Sequence, residues 1–222
     1  MGEPGTFLYE AWIARYALLK GMAVTAEMSV IVIIIGTFIG LIGGLCLQYA
    51  VAPLRWLVRA YVDILRGIPV LVLILFTFYG LSLFNISIPA FGAGVVALAA
   101  FCGAHMSEVV RGAISSIPHA QTEAAKALGL GFWKRFRFVI LPQATRRMLP
   151  PAINTAVEIV KSTTLLSVIG VVELLLATQQ TIARNYLVIQ FYLAACVLYL
   201  IINFTISQLG ALVERRFAYI KY

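Results

Sequence analysis

Charge is scarce in this sequence. Asp, Glu, Lys and Arg make up 12% of the 222 residues, and Asp and Glu together number nine. A soluble domain carries about 25% charged and about 45–50% apolar residues; here apolar residues are 62% and mean hydropathy is +0.96. So much apolar surface cannot be hidden in so small a core. An ordinary soluble domain is therefore excluded, and lipid is the expected solvent. Cysteine is equally sparse. Cys46, Cys102 and Cys196 sit in apolar stretches at a spacing that fits neither a disulfide framework nor a metal site, and read as small buried residues. The two histidines, His105 and His119, form no metal-spaced cluster and no nucleophile–base pair, so no enzyme site is expected. His105 reads as a satisfied structural side chain. No G-x-x-x-x-G-K-[ST] loop is present: Lys161-Ser162-Thr163 copies its tail but follows Val160, with no glycine loop. The start, MGEPGTFLYEAW, has no basic region ahead of a cleavable apolar core, so the first long apolar segment is expected to remain as a helix.

What is present is a series of apolar runs. Residues 7–20 fall short of the about 20 needed to span a membrane. Phe7, Leu8, Trp12, Tyr16 and Leu19 recur at helical spacing with Glu10, Arg15 and Lys20 interspersed, which predicts an amphipathic interfacial helix. The first span is expected at 21–50. It holds Gly36 and Gly40 in a GxxxG, followed by Gly43 and Gly44, a pattern that permits close helix contact. Residues 53–66 form an amphipathic helix whose Arg55, Arg59, Asp63 and Arg66 share one face. Further spans are expected at 68–84, 90–112, 148–170 (interrupted by Pro150 and Pro151) and 185–211, with a cytoplasmic loop at 113–147 and a short surface helix at 171–183. The expected fold class is thus an all-α integral membrane protein of five transmembrane helices, one domain over 1–222.

Basic residues set its orientation. Residues 51–66, 111–147 and the tail ERRFAYIKY with Lys221 hold thirteen of the 17 Lys and Arg, and five spans put all three segments on one side. Lys and Arg favour the cytoplasm, so the N-terminus is expected outside and the C-terminus inside. The net charge of +8 is read as topology, not as nucleic-acid binding.

The large basic loop carries a motif. Glu123-Ala-Ala-Lys-Ala-Leu-Gly129 is followed, nine residues on, by Val139-Ile-Leu-Pro142. Pro118 before residues 121–128 and Gly129 after them bound a short helix, and Glu123 near its start suits the helix dipole. Ala124, Ala125 and Leu128 give it a flat, small-residue face that another protein could approach closely. The spacing resembles the EAA signature of ABC importer permeases, with Val139 in place of the usual isoleucine. Arg66-Gly-Ile-Pro69, Glu108-x-x-Arg111-Gly112, Ser116-Ile-Pro118, Ile140-Leu-Pro-Gln-Ala144, Leu149-Pro-Pro151 and Ser167-Val-Ile-Gly170 look like the polar and hydrophobic amino acid branch (the histidine, glutamine and arginine type) of the type I importers.

That resemblance implies a coupling helix, with Glu123, Ala124, Ala125, Leu128 and Gly129 contacting a cytoplasmic ATPase dimer. It also implies a second permease subunit, identical or not, and a periplasmic or tethered binding protein that delivers the solute in a bacterial inner membrane. The permease itself would perform no catalysis and hold no cofactor, ATP being bound by the partner.

Ionisable residues inside spans are costly and point to function. Asn154, Glu158 and Lys161 recur at i, i+4 and i+7 on one helix face, and Glu158 and Lys161 can pair, which lowers the cost of burial. With Ser162, Thr163 and Thr164 they are expected to line the substrate pathway, where the resemblance also places the pocket. Glu108 is a further candidate beside Arg111, or their pair closes a helix end; Glu27 reads as an interfacial residue. One departure stands out: where the family's wording is similar to K-D-T-S, this chain has Ser162 and no acid. The expected function is translocation of an amino acid by alternating access, driven by a separate ATPase. The alternatives are a permease for an opine or another amino acid derivative, and an ATP-independent carrier or channel.

Overall fold

The computed structural model describes residues 3, 5–83 and 85–217; Lys221 of the basic tail lies outside them. The chain is helical, in the order α1 (Phe7–Tyr49), α2 (Ala52–Gly67), α3 (Val70–Leu75), a π-helical turn (Phe76–Gly80), α4 (Ala90–Ser115), α5 (His119–Ala127) and α6 (Phe132–Arg135). A second π turn (Phe136–Ile140), α7 (Leu141–Ser162), a 3-10 segment (Thr163–Ile169), α8 (Leu174–Asn185) and α9 (Val188–Phe217) follow. Among the described residues, four stretches are long and apolar enough to cross a membrane, α1, α4, Phe132–Ile169 and α9 through Arg216. A fifth span is complete only if α2 and α3 with its π turn count as one broken span. The expected second span at 68–84 is shorter alone: its helix covers residues 70–82, about 20 Å at 1.5 Å per residue, against a hydrocarbon core of about 30 Å.

The helices fall into two compact units. One comprises Met1–Ile33, Pro69–Ala99 and Val157–Thr205; the other comprises Ile34–Ile68, Ala100–Ala156 and Ile206–Tyr222. In the first unit, the expected break between residues 20 and 21 is absent, and α1 runs unbroken for 43 residues. Gly21 is a contact point rather than a breaker. A Cβ there would lie 2.8 Å from the Ala177 Cβ and 3.0 Å from the Glu173 carbonyl oxygen, so its absence lets α1 and α8 touch. Ala14 and Leu18 of α1 pack with Leu174 of α8 and Phe191 of α9. Consequently α8 is no surface helix: Leu174, Ala177, Thr178 and Thr181 are buried. The exposed side of the same stretch of α1 carries Leu8, Trp12, Tyr16 and Leu19.

In the second unit the glycine stripe of α1 is used within the chain. A methyl at Gly40 or Gly44 would collide with Met106 or Val110 of α4. Tyr61 of α2 donates to the Ala100 carbonyl at 2.7 Å, which ties α2 to the start of this half of α4. His105 is satisfied as expected, its Nδ1 3.1 Å from the Phe101 carbonyl oxygen and its ring 4.3 Å from that of Phe101.

The helix α7 does not break at its prolines. It runs from Leu141 to Ser162 with Pro150 and Pro151 inside. Each proline removes one N–H, which in an α-helix frees the carbonyls four residues back, those of Arg146 and Arg147. Such losses are tolerated within a membrane helix when neighbouring groups compensate. The chain stops turning only at Gly170, where φ is +86° and the Val171 amide donates to the Leu166 carbonyl at 3.2 Å.

Candidate functional site: a docking helix and a polar face

The helix α5 begins after Pro118, whose extended backbone (ψ 135°) directs the chain into it. On its first turns Glu123 accepts from the Lys126 ammonium at 3.0 Å, with His119 Nε2 at 3.7 Å. The Lys126 hydrogen bond holds the Glu123 carboxyl below the usual carboxylate range. Its far end closes in a two-bond cap: the Gly129 amide donates to the Lys126 carbonyl at 2.8 Å and the Leu130 amide to the Ala125 carbonyl at 3.0 Å. This closure needs φ +74° at Gly129, a conformation that glycine adopts without penalty.

The flat face is divided by burial. Ala125 is turned in, 3% exposed, on a helix that packs against α6 and the π turn after it. Ala124, Gly129 and Leu128 face out, and Leu128 is 80% exposed. The exposed face of α5 thus carries an apolar tip at Leu128, on a helix whose end is fixed by its cap. The second half of the motif anchors this knob. Ile140 and Ala144 are buried with Val110 and Ile114 of α4, and Arg147 donates to the carbonyl and, at 3.0 Å, to the hydroxyl of Ser116. The helix α5 and the second half of the motif thus both belong to the second unit.

Glu108 is held by two arginines. Arg59 of α2 reaches one carboxylate oxygen, and Arg111 donates to the other from Nε at 2.9 Å and Nη2 at 2.6 Å. With its side chain 14% exposed and both oxygens occupied, Glu108 acts here as a clamp between α2 and α4. Arg59 as its partner was not legible in the sequence, where it belongs to a separate amphipathic helix.

On α7 and the segment after it, Asn154, Glu158 and Lys161 are all exposed, as three residues on one face should be. The expected Glu158–Lys161 ion pair does not form among the described residues. The hydroxyls behave differently from the expectation. Ser162 and Thr163 are buried, and donate to the carbonyls of Glu158 at 2.9 Å and Val160 at 2.7 Å. Thr164, half-buried, donates to Lys161 at 2.7 Å. Their hydrogen bonds go to their own helix; the polar face is made by Asn154, Glu158 and Lys161.

A buried acid joins α8 to α9. Glu173, 1% exposed, caps α8 by accepting from the amides of Leu175 and Leu176, both at 2.9 Å, and accepts from the Tyr199 hydroxyl of α9 at 2.5 Å. Thr25 of α1 accepts from the Leu174 amide at 3.1 Å. Burial pushes the Glu173 carboxyl above its ordinary pKa, against the donors that pull it down. The available signal was an acid directly before the run LLLA, a helix-start pattern.

Comparison with known proteins fixes the class. The model of the family described as "binding-protein-dependent transport system inner membrane component" matches residues 11–219. The chain belongs to this family. It is 37% identical over 207 residues to the glutamine transport system permease protein of Escherichia coli (strain K12), covering 92% of this chain and 94% of that one. It is 36% identical over 197 residues to an L-cystine transport system permease protein of Bacillus subtilis (strain 168), covering 88% and 84%. Over 215 residues it is 36% identical to an octopine transport system permease protein of Rhizobium radiobacter, covering 91% and 86%. A crystal structure described as an amino acid ABC transporter with histidines contains a chain of the same fold, at TM-score 0.89 and 30% identity, covering 97% of this chain and 100% of that one. The resemblance drawn from Glu123–Pro142 therefore holds, and this binding-protein-dependent permease is a membrane subunit of the ABC importers.

Proposed function

We propose that this permease translocates an amino acid, delivered by a binding protein on the outer side, through a path that it forms with a second permease subunit. The observation that carries the proposal is the face of Asn154, Glu158 and Lys161. Ionisable residues within a membrane helix are costly unless they face water or a partner, and here the charges are exposed without pairing to each other. Such residues belong against water or another chain, not against lipid.

The substrate class follows from chemistry shared with relatives. Glutamine, cystine and octopine, named for three relatives, all contain an α-amino acid unit. An exposed cation and an exposed acid one helical turn apart suit its carboxylate and its amino group. Ser162 does not replace the missing acid, because its hydroxyl is engaged by the Glu158 carbonyl; the acid on that face is Glu158. An opine or other derivative is a second reading, favoured by the same departure and by the octopine relative.

Energy comes from a cytoplasmic ATPase dimer seated on α5. The sequence offers no nucleotide loop, so ATP binds to that partner, and the permease carries out no covalent step and uses no cofactor. ATP-driven closure draws the docking helices together and opens the path outward; hydrolysis returns it inward. The basic segments favour a cytoplasmic α5 and C-terminus and an outer N-terminus, in a bacterial inner membrane. The test is uptake into vesicles holding the permease and its ATPase, with the solute identified by an amino acid screen on the binding protein. Accumulation only with ATP and ATPase supports the proposal; uptake that persists without them identifies a carrier or channel.

A further inference from the structure

The end of α1 and the short helix α6 enclose a cavity of about 300 Å³ whose walls are Leu45, Cys46, Tyr49, Phe132, Trp133 and Phe136. That is the lower end of the range of small-ligand sites. Its aromatic wall is built edge to face: Tyr49 lies 5.4 Å from Phe132 and 5.9 Å from Phe136, and Phe132 lies 5.4 Å from Trp133. Trp133 is 77% exposed. From this cavity an apolar stripe continues along α1 through Ile42, Phe38 and Ile35, all exposed. A soluble partner would not require that stripe; an acyl chain would follow it.

The rim is cationic. Arg55 donates to the carbonyl of Ala50, which borders the cavity, at 2.8 Å. Lys134 and Arg135 lie on the same turn as Phe132 and Trp133, and the Arg135 guanidinium stands 5.8 Å from the Phe132 ring centre. The Nε of Arg135 is buried with no hydrogen-bond acceptor. Among the described residues no ion pair neutralises Arg55, Lys134 or Arg135, whereas Arg59 and Lys126 nearby in sequence are paired. An apolar slot continuous with an exposed apolar stripe, with Arg55 bonded to its border and Lys134 and Arg135 on the turn that forms its wall, matches a ligand with one or two hydrocarbon chains and an anionic head. Basic side chains beside a membrane attract anionic lipid by about 1 kcal/mol each, and exposed Trp and Tyr favour the headgroup level.

We infer that this cavity is a binding site for an anionic phospholipid, whose headgroup phosphate lies among Arg55, Lys134 and Arg135 and whose acyl chain enters between Tyr49 and Trp133. The site stands on the membrane assignment alone and is independent of the transported solute. Because α6 follows the docking helix directly and packs with it, the lipid would brace the base of that helix.

The test places the full-length permease in phosphatidylcholine vesicles doped with bromine-labelled phosphatidylglycerol or, at the same mole fraction, bromine-labelled phosphatidylcholine. Trp12 and Trp56, both exposed, are changed to Phe so that Trp133 alone reports. Half-maximal quenching by the anionic lipid at a mole fraction at least threefold lower than by phosphatidylcholine supports the site. In the Arg55→Gln/Lys134→Gln/Arg135→Gln variant that preference should vanish. Native mass spectrometry of the unsubstituted protein, counting bound phosphatidylglycerol against phosphatidylcholine, gives the same answer should the Phe variants fold poorly. Equal quenching by both lipids, or quenching by neither, overturns the inference. So does a preference abolished by excess soluble glycerol phosphate, which identifies a free phosphate site, or one abolished by added ATPase, which makes the cavity a protein contact.

Discussion

The Leu130 amide donates to the Ala125 carbonyl at 3.0 Å, and the loop so closed holds the intervening Gly129 at φ +74°. A Cβ at Gly129 would meet nothing within 4 Å. The cost of a substitution there is therefore conformational, about 1–2 kcal/mol for an ordinary residue in the left-handed region. Asparagine tolerates that region better. Gly129→Asn is expected to keep more ATP-driven uptake than Gly129→Ala, although it is larger. Gly129→Asp adds a charge to the docking surface and should abolish uptake while the protein still inserts. Uptake ranked by side-chain size, or normal coupling in the Asp variant, would contradict the assignment.

Leu128 separates docking from stability. Its side chain is exposed, so Leu128→Glu should change thermal unfolding by no more than about 0.5 kcal/mol. The same change puts a charge on the apolar tip proposed to enter a partner's groove. Loss of the co-purifying ATPase, with an unchanged melting temperature in detergent, is the expected pair of results. Retention of the ATPase would move the contact elsewhere on the loop.

The Glu108 clamp makes a different prediction, because its loss leaves two guanidinium groups facing each other. Glu108→Gln is expected to lower stability by about 1–3 kcal/mol, the cost of unpairing charged hydrogen-bonding groups. Arg111→Gln in that background should add less than it does alone. A double-mutant cycle read by thermal unfolding measures the coupling; additive losses would show that Glu108 is not held by Arg111 in solution.

Glu173 ties α8 to α9 through Tyr199 and gives a pH signature. Glu173→Ala leaves the Leu175 and Leu176 amides and the Tyr199 hydroxyl without their acceptor, at about 1–3 kcal/mol. Because the folded carboxyl titrates above its ordinary value, the native state holds the proton more tightly than the unfolded chain. Stability from this group is fully present below the unfolded pKa, about 4.3, and falls as pH rises toward the folded one. Relative to Glu173→Gln, the unsubstituted protein should therefore lose stability across that window. A parallel pH profile for the two would show that burial does not shift the acid.

How much of this could be read from the sequence depends on whether the deciding contacts are local. The helix α5 was legible because Pro118 and Gly129 act on the adjacent backbone, and both bounds fall within two residues of those expected. The polar face was legible because Asn154, Glu158 and Lys161 are spaced by one helix's own period. The unbroken α1 was not, since the charges within residues 7–20 and the apolar run after them read as two separate helices. The polarity of Ser162 and Thr163, like the family resemblance, points to a cavity, but their hydroxyls can turn back to carbonyls three or four residues earlier, a choice that composition does not reveal. Arg59 and Glu108 are 49 positions apart, and Thr25 is 149 from Leu174; nothing in either local sequence names the other.

The face on α7 is where stability and transport should part. Lys161 is exposed and has no ion pair with Glu158, so Lys161→Ala should leave the melting temperature and the ATPase association unchanged. If its ammonium meets the solute's carboxylate, removal forfeits a charged hydrogen bond of about 1.5–3 kcal/mol, a rise of about tenfold or more in the apparent KM for uptake. Lys161→Arg keeps the charge and should fall between the two. Glu158→Gln should impair uptake of an α-amino acid more than that of its N-acetylated analogue, because only the free amino group is a cation. Vesicle uptake measured at saturating ATP decides the matter. A lowered maximal rate at unchanged KM in both variants would place these residues in the moving parts of the path and not against the solute.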